Sequence, residues 1–181
     1  MGAARIAVRT DPELAYESIY DFSRYLRAVL RSLESRENIP LKEEISDVRA
    51  FVNLEKLRFG SRIKFRTDIR EENFSLPPLS VLALVENAFV HGLQKGDREG
   101  TVTVRSCRVP SACIVQVEDD GIGFDAEAYG NLHGDDGPKA GGLLKVRYRM
   151  ETMTNGRMDI QSFAGVGTVV TLQIPGSERK A

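Results

Sequence analysis

Cysteine is scarce in this chain: Cys107 and Cys113 stand alone, with no CxxC spacing. That is too few for a disulfide framework, and with His91 and His133, the only histidines, they make no familiar zinc spacing. Long apolar runs are also lacking, since none approaches the roughly 20 residues that span a bilayer. The first residues carry no secretory pattern. Charge of one sign is lacking too. The formal net charge is −1 over 181 residues, so no basic field draws the chain to nucleic acid or to a membrane surface. Any phosphate binding must therefore come from a local site. What is present, 41% hydrophobic and 28% charged residues, suits one globular domain with a proper core. Reduced thiols in a cytoplasmic protein are expected, and the chain is expected to be a piece of a longer one.

The pattern is helical from Asp11, where Asp11-Pro12 reads as an N-cap followed by proline in the first turn. Ile19, Phe22, Leu26, Val29 and Leu33 then recur at spacings of 3, 4, 3 and 4, a heptad-like seam fit either for the chain's own domain or for a partner helix. After a polar break at residues 35–38, a second helix runs from Leu41 to a stop at Gly60. Residues 63–69 alternate as a half-buried strand does. Leu76-Pro77-Pro78 is expected to open a third helix over about 77–93. Strands over 101–108 and 112–118 form a hairpin. Residues 125–142 are rich in Gly and Asp and read as a loop. A fourth helix over 143–154 and a closing hairpin, residues 157–163 and 168–174, complete an α+β arrangement with helices on one face of a sheet.

Four constellations carry chemistry. In Leu84–Gly92 (LVENAFVHG), Asn87 and His91 lie four apart on one helix face, away from the apolar side formed by Leu82, Val85, Phe89 and Leu93, with Glu86 next to Asn87. A neutral Asn oxygen suits Mg²⁺, though a polar surface on an amphipathic helix would look the same. In Val117–Phe124 (VEDDGIGF), a strand runs into Asp119 and Asp120 and then into Gly121 and Gly123, which let backbone approach a ligand closely. The stretch matches neither a calcium loop nor the GxxxxGK[ST] phosphate loop. Gly141-Gly142 enters a helix, as phosphate-binding backbone often does. Gly165-Val166-Gly167-Thr168 precedes the last strand. Taken singly, each is a weak signal.

Their order is specific: polar helix, strand with DxGxG, Gly-rich loop, helix, then GxGT and a strand. In that order the chain resembles the ATPase superfamily of DNA gyrase, Hsp90, histidine kinases and MutL, with its Bergerat fold. More narrowly it resembles LytS-type sensor histidine kinases, whose helix pattern PPL…LVENAxxHG is matched by Pro77-Pro78-Leu79 and Leu84–His91-Gly92, and whose linker ending is matched by Glu55-Lys56-Leu57-Arg58-Phe59. The resemblance covers residues 11–175. It implies a two-layer α/β sandwich with a mixed, mostly antiparallel sheet, preceded by an N-terminal helix. It divides the chain into residues 1–36, a remnant of the dimerisation and phosphoacceptor region, residues 37–176, the ATP-binding catalytic domain, and a tail, 177–181.

The same resemblance implies ATP and Mg²⁺ as cofactors and a role for each residue. Asn87 would coordinate Mg²⁺. Asp119 would accept a hydrogen bond from the adenine amino group, in a pocket shaped by Gly121 and Gly123 and supported by Thr168. His91, Gly141, Gly142 and Lys145 would lie at the ATP site, with residues 125–142 as its lid, and Glu86 would orient water or the acceptor. The implied function is transfer of the ATP γ-phosphoryl group to a histidine outside this chain, since neither His91 nor His133 matches the acceptor motif NPHFLFN. Implied partners are a response regulator, the phosphoacceptor helix, and a second copy in the full-length protein, a cytoplasmic domain anchored to the membrane only through upstream segments. The chain departs from the family's GxGLxNV lid ending at Ala140 and Lys145, has Leu82-Ala83 where relatives have Gln-Pro, and has Val90 where many kinases have lysine. A nucleotide-responsive binding module is the alternative reading. A gyrase-type hydrolase is disfavoured because Ala83 stands where those enzymes place a Glu, four residues before the Asn.

Overall fold

The computed structural model describes residues 11–93, 99–124 and 142–176. Helix α1, Pro12–Glu34, starts where the Asp11 side chain accepts the Leu14 N–H at 3.0 Å. One side of it packs on α2, Leu41–Phe59, through Ala15, Ala28 and Tyr25, whose ring lies 5.9 Å from that of Phe51. Buried Asp47 of α2 pairs with both Arg24 (3.0 Å) and Arg31 of α1. The expected seam faces the other way: Ile19 is 63% exposed and Leu33 77%. Gly60, at φ +61, ends α2 as its sequence predicts.

The third helix departs from its expected bounds. Helix α3 covers only Ser80–Asn87 and continues as a π-helical turn over Ala88–Leu93. Pro77 and Pro78 lie outside it, because Leu79 takes a left-handed conformation at φ +62 that breaks the helical path. No local side chain caps α3. Its first N–H groups are instead met from α2 by Glu44, which is 1% exposed and accepts from Leu79, from Val81 at 2.9 Å and from Leu82 at 3.2 Å. Burial pushes the Glu44 carboxyl up to about 7 against the pull of those three amides.

The strands are β1 (Ile39–Pro40), β2 (Ile63–Ile69), β3 (Ser75–Leu76), β4 (Gly100–Val109), β5 (Ala112–Asp119), β6 (Arg157–Phe163) and β7 (Gly167–Pro175), with α4 (Gly142–Thr154) before β6. β1 and β3 form a small ribbon; the main sheet has the order β2-β4-β5-β7-β6. Only β2 and β4 are parallel there, so the sheet is mixed and mostly antiparallel, as expected. In β4 and β5 buried and half-buried residues alternate, so one face carries the core and the other meets solvent. Val102, Val104, Val115, Val117, Val170 and Leu172 meet Val85 and Phe89 of the α3 segment and Val146 and Met150 of α4 in one cluster. This is the two-layer α/β sandwich the sequence predicts.

Phe89, 1% exposed, stands edge-on to Phe51 with ring centres 5.5 Å apart, tying the π-turn to α2. Phe89→Ala is expected to cost about 3–5 kcal/mol of stability, read as a lower midpoint in urea unfolding.

Candidate nucleotide site

β5 delivers Asp119 to the end of the sheet, between Val102 of β4 and Thr168 of β7 in register. Asp119 is 7% exposed, and its carboxyl accepts the Gly121 N–H at 2.9 Å and a bond from the Thr168 main chain. Burial, with smaller contributions from Asp120 and Glu118, raises its pKa to about 6. Thr168 therefore supports Asp119 through its backbone, while its hydroxyl sits 2.9 Å from that of Ser162. Ser162 in turn accepts the Phe124 N–H at 2.9 Å.

Glycine is required here by close approach. A Cβ on Gly92 would lie 2.6 Å from the Asp119 Oδ1 atom, and one on Gly121 would strike the Gly92 carbonyl. Gly123 has φ +58, and a Cβ there would run into the Phe163 carbonyl. The segment between them is held on both sides: Ile122 donates to Gly92 O at 3.0 Å and accepts from Gly165 at 2.6 Å. Thus the π-turn, the end of β5 and the β6–β7 turn close on one carboxyl.

Asn87 ends α3 half-buried, with its Nδ2 atom buried and without a hydrogen-bond partner among the described residues. A Cβ on Gly142, the first residue of α4, would lie 3.5 Å from that nitrogen, so the Asn87 amide faces the opening turn of α4, whose N–H groups lack helical partners. Lys145, in that turn, is exposed, as is His91 in the π-turn. Glu86 turns elsewhere. Its polar neighbours are Tyr25 of α1 and Glu55 of α2, and burial raises its carboxyl pKa while the Tyr25 hydroxyl opposes the shift. Tyr25 is pushed up to about 12, first by burial and then by Glu86. Of the expected site residues, Asp119, Gly121, Gly123 and Thr168 converge, Asn87 and Gly142 face each other, and Glu86 lies toward α1. Gly141 and the rest of the expected lid before Gly142, with Ala140 and His133, fall outside the described residues. The sequence reading gave Gly92 no role beyond its place in the LVENAFVHG motif, and it missed Ser162, an ordinary strand residue in the sequence.

The family pattern described as histidine kinase-, DNA gyrase B-, and HSP90-like ATPase matches residues 79–178, and a histidine kinase pattern matches residues 3–63. The chain belongs to that ATPase family. It is 30% identical over 177 residues to the sensor histidine kinase YpdA of Escherichia coli, and 28% identical over 180 residues to the sensor protein LytS of Bacillus subtilis. These matches take in 97% and 95% of this chain but 31% and 30% of those proteins, so the chain spans about a third of the length of either. The fold is that of histidine kinase catalytic domains. The catalytic domain of histidine kinase ThkA superposes with a TM-score of 0.59 at 20% identity, over 77% of this chain and 94% of that one. The histidine kinase domain of a blue-light activated kinase from Erythrobacter litoralis gives 0.58 at 22% identity, over 90% and 75%.

Three outcomes are expected. Asp119→Asn should weaken adenine-nucleotide binding by about ten- to hundredfold, the loss of a hydrogen bond to a charged group, with the circular dichroism spectrum unchanged. A raised carboxyl pKa favours the neutral form of the free protein, whereas an amino donor binds the ionised form. Affinity should therefore fall as pH drops through about 6, and calorimetry should find no such fall in Asp119→Asn. Gly92→Ala should abolish binding, since its methyl group would displace the Asp119 carboxyl.

Proposed function

We propose that this chain is the ATP-binding catalytic domain of a two-component sensor histidine kinase. The reading is carried by the pairing of two features at one end of the sheet: a buried carboxyl shaped by glycines, and an Asn amide, its nitrogen without a partner among the described residues, facing a helix N-terminus. Asp119 accepts the adenine amino hydrogen bond, and Gly121 and Gly123 let the base lie against the backbone. Thr168 holds Asp119 in place. The phosphates lie between Asn87 and the start of α4, where Gly142 and Lys145 contribute N–H groups and charge, and Gly141 and His91 are assigned to the same nucleotide site.

The unpartnered Asn87 Nδ2 is a donor suited to a phosphate oxygen, and the Oδ1 atom of the same amide, which also faces Gly142, is the hard oxygen that would hold a hydrated Mg²⁺ ion and so neutralise phosphate charge there. The γ-phosphoryl group passes to an imidazole nitrogen of a histidine other than His91 and His133. A P–N bond forms as the P–O bond to ADP breaks. Glu86, on the side of α3 that faces α1, orients the acceptor. Positioning and charge neutralisation carry the reaction.

The exposed seam of α1 fits a second copy of the chain in the full-length protein, with the phosphoacceptor helix as its neighbour. The histidine kinase ThkA is known in complex with the response regulator TrrA, and a response regulator is the onward partner proposed here. No helix among the described residues is long and apolar enough to cross a membrane. The proposed setting is a cytoplasmic domain whose membrane link lies in other segments of the protein.

With γ-labelled ATP, the chain alone should take up no stable label on His91 or His133, and an added histidine-bearing helix segment from a LytS-type kinase should become labelled with acid-labile phosphate. Labelling of His91 or His133, or no transfer despite tight ATP binding, would count against this reading.

A further inference from the structure

Glu44 and Glu43 stand side by side in the first turn of α2, and nothing in the sequence separates them. The fold does. Glu43 is exposed and Glu44 is among the most buried side chains of the protein. Both Glu44 oxygens are spent on the start of α3: Oε1 accepts from Leu79, and Oε2 from Val81 and Leu82. The first N–H groups of a helix have no partner within it, and a carboxylate there is favoured by the helix dipole. A cap of this kind is ordinarily local in sequence; this one reaches across 35–38 positions. From the other side, Arg149 of α4 donates to the Leu79 carbonyl at 3.0 Å, and its guanidinium is in turn stabilised by the Glu44 charge. Three helices thus meet at Leu79.

The remainder of α3 is short. Eight residues make about two α-helical turns before the path widens into the π-turn, so the register of this stretch depends on how its first turn is held. Asn87 is the last of the eight, so a shift of the first turn along the axis moves the Asn87 amide relative to α4. The base-reading end is anchored separately, because Gly92 is tied to Ile122 beside Asp119. We propose that Glu44 is a positioning residue of the phosphate and metal end of the site: its grip on the first turn of α3 sets where Asn87 stands and thereby governs the Mg²⁺-dependent part of ATP affinity. The proposal rests on the reading of Asn87 as the Mg²⁺ ligand.

The test uses this chain at pH 8, below the melting temperature of every variant. Calorimetry measures ATP affinity with Mg²⁺ and with chelator, and the ratio is the Mg²⁺ increment. Glu44→Gln keeps the shape but turns one acceptor into a donor facing an amide. The increment should fall by about tenfold, as for loss of a group that orients a metal ligand, while metal-free affinity stays within about twofold. Val48→Ala, a fully buried change one turn along α2 that leaves the Glu44 carboxyl and its three acceptor bonds in place, should lower the melting temperature and leave the increment intact. If Glu44→Gln does not fold, Arg149→Met, which cuts the opposite contact with Leu79, carries the same expectation. An unchanged increment in the folded variant, or equal loss with and without Mg²⁺, overturns the proposal. Asn87→Ala separates the premise: an increment that survives it removes Asn87 as ligand and the proposal with it, whereas an increment lost in Asn87→Ala but kept in Glu44→Gln removes the proposal alone.

Discussion

The site depends on how closely three backbone segments can approach the Asp119 carboxyl. Gly92 from the π-turn, Gly121 from the end of β5 and the β6–β7 turn all lie within a methyl group's reach of one another or of Asp119. A side chain at any of these glycines would part the layers. The desolvation that follows from this packing is what lifts the Asp119 pKa. The carboxyl is consequently held partly destabilised, with two backbone N–H bonds to offset its burial. A polar group kept in this state costs stability and is retained where it recognises something.

Helix α2 has a comparable role away from the pocket. Asp47 faces α1 and pairs with Arg24 and Arg31, while Glu44, one turn earlier, faces α3. Burial raises the pKa of both acids, and in each case named partners oppose the rise: two arginines for Asp47, three backbone amides for Glu44. Removing one partner of such a buried pair leaves an uncompensated group, which is expensive whatever the intact pair contributes. α1 and the nucleotide helix are therefore joined through one helix carrying two buried acids. The Tyr25 and Glu86 pairing closes the same triangle directly.

Much of this was legible because it is local. The N-cap at Asp11, the stop at Gly60, the alternating strands and the glycines of Val117–Phe124 follow from short-range chemistry, and the structure places them within a residue or two of expectation. The start of α3 was not legible. Pro77-Pro78 looks like an ordinary helix opening, and what moves the start to Ser80 is a carboxylate 35 positions earlier in the chain together with the left-handed turn at Leu79. The π-turn was hidden for the same reason, since its sequence is as helical as the one before it. Asp119 could be picked out as a carboxylate at a strand end followed by glycines. The part of Gly92 could not, because its partner lies in another element. Glu86 was read as lying next to Asn87, and it does, but one residue along a helix is a turn of about 100°, which aims it at α1.

The single parallel pair of the main sheet has a consequence for how the domain assembles. β4–β5 and β6–β7 are hairpins whose ends meet over a few residues, whereas β2, ending at Ile69, and β4, starting at Gly100, are separated in sequence by residues 70–99. Closing that longer loop carries the greater entropic cost, and non-local pairings of this kind slow folding. α3 lies within that crossover. The hairpins can form without it, but the segment that brings Asn87 and Gly92 to the end of β5 is settled only when the crossover closes, so the approach of Gly92 to Asp119 follows the hairpins rather than forming with them.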